Sequence, residues 1–157
     1  MLQASDDAEK ERRDWMEVLA RAPLAILESR MRGVGESASL PGRTWLRKPE
    51  TGLAMLRGRI GGAGEPFNLG EMTLTRCALR IDSGEVGVAY VKGRSPRKAE
   101  LAALGDALLQ SKSWRELVRW QLIEPLRAEL AADSARDRRK AQATRVEFFT
   151  LAREAGQ

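Results

Sequence analysis

The 157-residue sequence has no histidine, one cysteine and only 5% aromatic residues. The missing imidazole excludes Ser/His/Asp and Cys/His nucleophilic arrangements within the chain. With a single thiol, it also excludes zinc sites built from Cys and His. Cys77 has no partner for an internal disulfide, and no stretch resembles a secretory signal, so a cytoplasmic protein is expected. No apolar run approaches the roughly 18 residues that span a membrane. Any chemistry must rest on Arg, Lys, Asp, Glu, Ser, Thr, Tyr or backbone groups, or on another chain. No metal site and no cofactor is expected.

What is present describes a basic globular domain. Lys and Arg total 27 against 22 Asp and Glu, a net charge of +5, with 43% hydrophobic and 31% charged residues. A chain this long buries roughly 70% of the surface its unfolded form exposes, enough for a core without staples. One domain over residues 1–157 is expected, with no internal repeat and no low-complexity linker.

The periodicity predicts an α+β fold: an antiparallel sheet of about four strands flanked by N-terminal and C-terminal helices. Acidic residues Asp6, Asp7, Glu9 and Glu11 suit the start of a first helix. Its apolar face is Trp15, Val18, Leu19 and Ala22. Pro23 suits the first position of a second helix, striped by Leu24, Leu27 and Met31 and stopped at Gly33 and Gly35. Strands are expected at Arg43–Lys48 and Leu53–Ile60, separated by a turn at Pro49-Glu50-Thr51-Gly52. Met72–Ile81 alternates, with Thr73, Thr75, Cys77, Leu79 and Ile81 on one face. After Asp82-Ser83-Gly84, Glu85–Lys92 is a strand with Val86, Val88 and Tyr90 on one face. Ser95-Pro96 then caps a helix striped by Leu101, Leu104 and Leu108. Ser113 to Glu116 fits a capping box for a helix carrying Trp114, Leu117, Val118 and Gln121, ended or kinked at Pro125. Ser134 opens a last helix, basic at Arg136, Arg138, Arg139 and Lys140 and apolar at Val146, Phe148, Phe149 and Leu151. That apolar half packs into this domain's own core or docks on a partner chain.

Gly61-Gly62-Ala63-Gly64-Glu65-Pro66-Phe67 is the most unusual local feature. Three glycines in four residues allow positive φ and close backbone approach. The segment is either a tight hairpin or an anion nest served by Arg57, Arg59 and Arg76. It lacks the Gly-Lys-Ser/Thr ending of a phosphate-binding P-loop and joins two strands, not a strand to a helix. Basic runs at Arg43–Arg59 and Lys92–Lys98 are either solvated faces or a surface for nucleic acid or phosphorylated ligands. Trp15, Trp114 and Trp120 sit in helical patterns that favour core packing, whereas Trp45 lies between Arg43 and Arg47. Glu65, Glu71, Asp82 and Tyr90 form no carboxylate pair with divergent environments. Glu71 either ends a strand or pairs with Arg76, and Cys77 is expected to be buried and inert.

Gly58-Arg59-Ile60-Gly61-Gly62-Ala63-Gly64-Glu65-Pro66-Phe67-Asn68-Leu69-Gly70-Glu71, followed by Thr73-Leu74-Thr75-Arg76, resembles the PhnG family of the bacterial carbon–phosphorus lyase system. Trp15–Ala20, Lys92-Gly93-Arg94 with Lys98-Ala99-Glu100, and Thr144–Thr150 resemble its start, middle and end. Lys98 stands where the family often carries histidine, and Glu147 where aspartate is common. The resemblance implies a subunit, not a free enzyme. With PhnH, PhnI and PhnL it would be needed to convert ATP and an alkylphosphonate such as methylphosphonate to ribose 1-methylphosphonate 5-triphosphate and adenine. It would pack with PhnI, PhnH and PhnJ, with no nucleic acid and no membrane as partner. No catalytic residue carries over. The candidates for contact with a partner or a phosphate are Arg59, Gly61, Gly62, Gly64, Glu65, Phe67, Asn68, Glu71, Thr75, Arg76, Arg145, Glu147, Phe148 and Phe149. A basic nucleic-acid-binding or phosphate-binding module is the alternative.

Overall fold

A computed structural model describes residues 2–143. The element order is α1 (Leu2–Arg21), α2 (Leu24–Ser37), β1 (Arg43–Arg59), a 3-10 turn (Ile60–Gly62), β2 (Pro66–Ile81), β3 (Val86–Lys92), α3 (Pro96–Gln110), α4 (Arg115–Val118), a π turn (Arg119–Ile123) and α5 (Glu124–Ala143). The fold is α+β, and the strands form one antiparallel sheet in the order β1-β2-β3.

The sheet has three strands, not about four, because Pro49-Glu50-Thr51-Gly52 is not a turn. β1 passes straight through it, with register shifts between Trp45 and Arg47 and between Arg47 and Glu50. Proline is tolerated there because β1 is an edge strand and the irregularity asks for no ladder bond. Arg76 of β2 then reaches across the pair to Glu50 at 2.6 Å.

The core lies between one face of the sheet and the helices. Thr75, Cys77, Leu79 and Ile81 of β2 are buried, as their alternation predicts. On β3 the buried face is Gly87, Ala89 and Val91, so Val86, Val88 and Tyr90 look outward. The reason is the approach of α3, whose backbone lies on Gly87. A Cβ built there would sit 1.8 Å from the Ala103 carbonyl oxygen. On its other side α3 meets Leu19 of α1 and Leu122 of the π turn at Gly105. The helix is therefore buried well beyond the Leu101, Leu104 and Leu108 stripe.

Inside that apolar helix sits Asp106, fully buried. Its carboxylate accepts from Arg12 Nε at 3.1 Å, Arg12 Nη2 at 2.8 Å, Trp15 Nε1 at 2.9 Å and the Val88 backbone N–H at 2.9 Å. Three donors on α1 and one on the free edge of the sheet thus converge on one side chain of α3. The Val88 N–H would otherwise be an open edge donor. Gln110 covers the neighbouring Val86 carbonyl at 2.8 Å.

Several helix boundaries differ from the periodic reading. α1 starts at Leu2, so Asp6 and Asp7 fall in its second turn, within the first two turns expected for the acids. Pro23 stands one residue before α2, and α2 continues through Gly33 and Gly35 to Ser37. Glycine is tolerated because the flanking Met31 and Val34 are buried and packing outweighs propensity. Ser95 occupies the cap position of α3 without a side-chain capping bond. The Ser113 capping box does not form; its hydroxyl meets that of Ser111 at 3.1 Å and Trp114 precedes α4. Pro125 does not end the helical run, because the π turn just before it absorbs the missing N–H. The extra residue in that turn shifts the helical phase. Leu122 and Ile123 turn inward and Trp120 is left 67% exposed, against the core role its pattern suggests. α5 runs through Ser134 without a break. Trp15 is buried, while Trp45 and Trp114 are half-buried against the core.

Two consequences are testable. Burial pushes the Cys77 thiol up to about 11, helped by the charge of Glu100. Native protein at pH 8 should leave a thiol reagent unreacted, and guanidinium-unfolded protein should consume one equivalent. Glu100 of α3 binds Arg43 of β1 at 2.6 Å and Arg97 at 3.0 Å, and Arg97 also holds Glu28 of α2 at 3.0 Å. Burial raises the Glu100 carboxyl, but the two guanidiniums outweigh it and hold it below its usual 4.5. A carboxyl lowered in the native state stabilises above its unfolded value, and that stability is lost as pH falls through the native value. Unfolding free energy should therefore decline below pH 4.5, and Glu100→Gln should flatten the decline; identical slopes would count against the linkage.

Candidate functional site

β3 pairs with β2 only from Leu74 to Arg80. The rest of β2, from Pro66 to Met72, pairs with β1 alone, and the two strands continue as a hairpin arm past the body. From Arg43 through Leu74 no residue is buried. Yet the arm is apolar. Ile60 is 75% exposed, Leu53 65% and Leu69 64%, and Met55, Leu56 and Phe67 are also exposed. Opposed residues of an antiparallel pair share a face, and successive residues alternate. The register therefore puts Leu53, Met55, Arg57 and Arg59 on the continuation of the core-side face. Ala54, Leu56, Gly58, Phe67, Met72 and Leu74 lie on the outer face. Leu69 lies across Gly58, where an added Cβ would come within 2.1 Å of its Cδ1. Glycine at 58 is thus what lets Leu69 and Phe67 close over the strand.

The glycine segment makes the tip. Gly61 (φ 61°) and Gly62 (φ 80°) take left-handed conformations, and Gly64 N–H donates to the Ile60 carbonyl at 3.0 Å. A Cβ at Gly61 or Gly62 would meet nothing within 4 Å, so the backbone conformation, not space, demands glycine there. Arg59 Nη1 donates to the Gly64 carbonyl at 3.0 Å. An open pocket of about 530 Å³ at this tip is lined by Arg57, Gly58, Arg59, Gly62 and Pro66.

The candidate residues do not converge on one pocket. They are strung along the arm, and Phe67 to Arg76 spans roughly 30 Å at strand rise. Arg59, Gly61, Gly62, Gly64 and the exposed Glu65 are at the tip. Phe67 faces Gly58, Asn68 faces Arg57, and Glu71 faces Met55. Glu71 sits mid-strand and does not pair with Arg76, which is held by Glu50. Thr75 is buried at the arm's root. Its hydroxyl donates to the Gly93 carbonyl at 2.7 Å, accepts the Ser95 N–H at 3.0 Å and meets Thr51 Oγ1 at 3.3 Å. It ties the arm to the start of α3. Arg145, Glu147, Phe148 and Phe149 lie outside the described residues, as does the apolar half of the last helix.

The basic runs are partly neutralised. Arg43 pairs with Glu100, Arg97 with Glu28 and Glu100, and Glu50 takes both Arg47 and Arg76. Those two guanidiniums hold the Glu50 carboxyl below its usual range. Burial lowers the Lys98 ammonium. Among the described residues no group of three or more Cys, Asp or Glu could hold a metal ion. No described helix is long and apolar enough to cross a membrane. Sequence reasoning passed over Leu53, Met55, Leu56, Ile60 and Leu69. The available signal was that Leu53–Ile60 carries apolar residues at both parities, which one covered face does not explain. It also passed over Asp106, an acid inside the run Leu101–Leu109.

Residues 10–154 match the model of the family described as phosphonate metabolism protein PhnG. The chain belongs to the PhnG family. A relative from Rhizobium meliloti (strain 1021), the alpha-D-ribose 1-methylphosphonate 5-triphosphate synthase subunit PhnG, is 44% identical over 150 residues. That alignment covers 95% of this chain and 94% of the relative. The family therefore spans both the helical body and the arm.

Proposed function

We propose that this PhnG-family chain is a subunit of an alpha-D-ribose 1-methylphosphonate 5-triphosphate synthase within the carbon–phosphorus lyase system. In this reading it completes an active centre that belongs mainly to another subunit. The observation that carries the reading is the hairpin arm, apolar on both faces and, among the described residues, covered on neither. An isolated two-stranded hairpin is marginally stable in water. Each large apolar side chain taken from water contributes about 1.5–3 kcal/mol. Six of them on the arm offer on the order of 10 kcal/mol towards association, from which the ordering cost of docking is subtracted. Two bare faces suit insertion between partner surfaces better than flat contact with one.

The partners proposed are PhnI, PhnH and PhnJ in a common complex, with PhnL required functionally. The arm and the Arg145–Phe149 motif are proposed to form the surface that meets PhnI. The reaction joins an alkylphosphonate to the ribose of ATP with loss of adenine. There, a docked subunit acts by excluding water and orienting the phosphonate as nucleophile. Co-expression with and without the operon partners tests this. The chain should co-purify with PhnI, the assembly should release adenine only when methylphosphonate is present, and omission of the chain should abolish ribose 1-methylphosphonate 5-triphosphate. Turnover of ATP and methylphosphonate by the lone chain would refute it.

A further inference from the structure

We infer that the tip of the arm is a polyphosphate-binding element, in which Arg57 and Arg59 grip the triphosphate tail of the nucleotide substrate inside a partner's active centre. The inference rests on the subunit reading and adds a ligand to it. The two arginines are two residues apart in β1, so strand alternation puts both guanidiniums on one face, and both line the pocket at the tip. Residues 51–64 contain no acid. Glu65 beside them forms an ion pair with neither, and neither arginine has a carboxylate within 4.0 Å among the described residues. By contrast Arg43, Arg47, Arg76 and Arg97 are ion-paired on the body, with Glu50 shared between Arg47 and Arg76.

The environment of the pair decides the ligand. Met55 and Leu53 precede the arginines on the same face, and Ile60 follows. Docking that buries these apolar neighbours takes water from the guanidiniums as well, and a buried charge without a counterion is strongly disfavoured. The receiving site must therefore present anionic charge. Two adjacent guanidiniums with bidentate geometry match successive phosphoryl groups, whereas one partner carboxylate neutralises one of them. One fork of Arg59 is fixed on the Gly64 carbonyl, which aims the side chain and leaves its other N–H donors free. Gly62, with no side chain over it, leaves the pocket floor open to a large anion.

The test uses the co-expressed assembly carrying Arg57→Gln, Arg59→Gln or both, with Arg21→Gln as a surface control. Subunit stoichiometry is read by gel filtration, KM by adenine release, and anion affinity by tripolyphosphate inhibition. The expected result is normal assembly, with KM for ATP and the tripolyphosphate inhibition constant each raised roughly tenfold or more per arginine. KM for methylphosphonate should change less than about twofold, and Arg59→Lys should recover part of the loss. Normal assembly with unchanged KM for ATP would overturn the inference. So would loss of assembly in the glutamine variants, which would assign the arginines to partner carboxylates. A wild-type chain that never joins the assembly would instead defeat the subunit reading beneath it.

Discussion

Asp106→Ala is expected to cost the fold about 3–5 kcal/mol, read as a shift in the urea midpoint at unchanged slope. The carboxylate is fully buried and takes four hydrogen bonds. Removing it orphans the Trp15 indole N–H and the Val88 backbone N–H, each costing about 1–3 kcal/mol when buried and unpaired. Arg12 adds less to that loss, because its side chain is 37% exposed and can turn to water. Asp106→Asn keeps the shape and one acceptor, but its amide N–H points at donors, so roughly half the loss should remain. Arg12→Ala should cost about 3 kcal/mol, because it leaves the fully buried Asp106 carboxylate without its guanidinium. An Asp106→Ala protein within 1 kcal/mol of wild type would show that the four-bond junction is incidental to the packing of α1 on α3.

Gly87→Ala should be at least as damaging. The new Cβ would lie 1.8 Å from the Ala103 carbonyl oxygen and 2.7 Å from the Ala107 nitrogen, both backbone atoms of α3. A flexible side chain can yield to such a contact, but a helix backbone must translate, and α3 is wedged against Leu19 and Leu122 on its other side. Overpacking in cores costs typically about 1–3 kcal/mol, and a clash with fixed backbone belongs at or above the top of that range. Gly33→Ala is the internal contrast. It sits in α2 with nothing within 4 Å of the added Cβ. It should therefore stabilise by about 0.5–1 kcal/mol through helix propensity and unfolded-state entropy. Thermal melts of the pair should move in opposite directions; a Gly87→Ala protein that melts like wild type would contradict the helix-on-strand contact.

That contact also explains which parts of the fold were legible in the sequence. The α1 stripe of Trp15, Val18, Leu19 and Ala22 and the buried alternation of Cys77, Leu79 and Ile81 followed from period alone. On β3 the shared face of Val86, Val88 and Tyr90 also followed from period, but not that it is the outer one. The core needed small residues on the inner face to admit α3, a tertiary demand that local pattern does not express. Pro49 resembled a turn because nothing local reveals that β1 lies at an edge. The π turn hid the outward swing of Trp120, since one inserted residue resets a phase that periodic reading holds constant. The glycine tip was legible as a hairpin, because Gly61 and Gly62 take the positive φ their clustering implied. The arm's reach was not, because it depends on where β3 stops pairing.

The arm's docking role is tested most directly by aspartate at Leu56 and Leu69, two exposed positions on its outer face. The variants should melt within a few degrees of wild type, since neither side chain supports the core, and should fail to retain PhnI when the operon subunits are co-expressed and purified. Folded Leu56→Asp and Leu69→Asp chains that hold PhnI at wild-type stoichiometry would contradict the account.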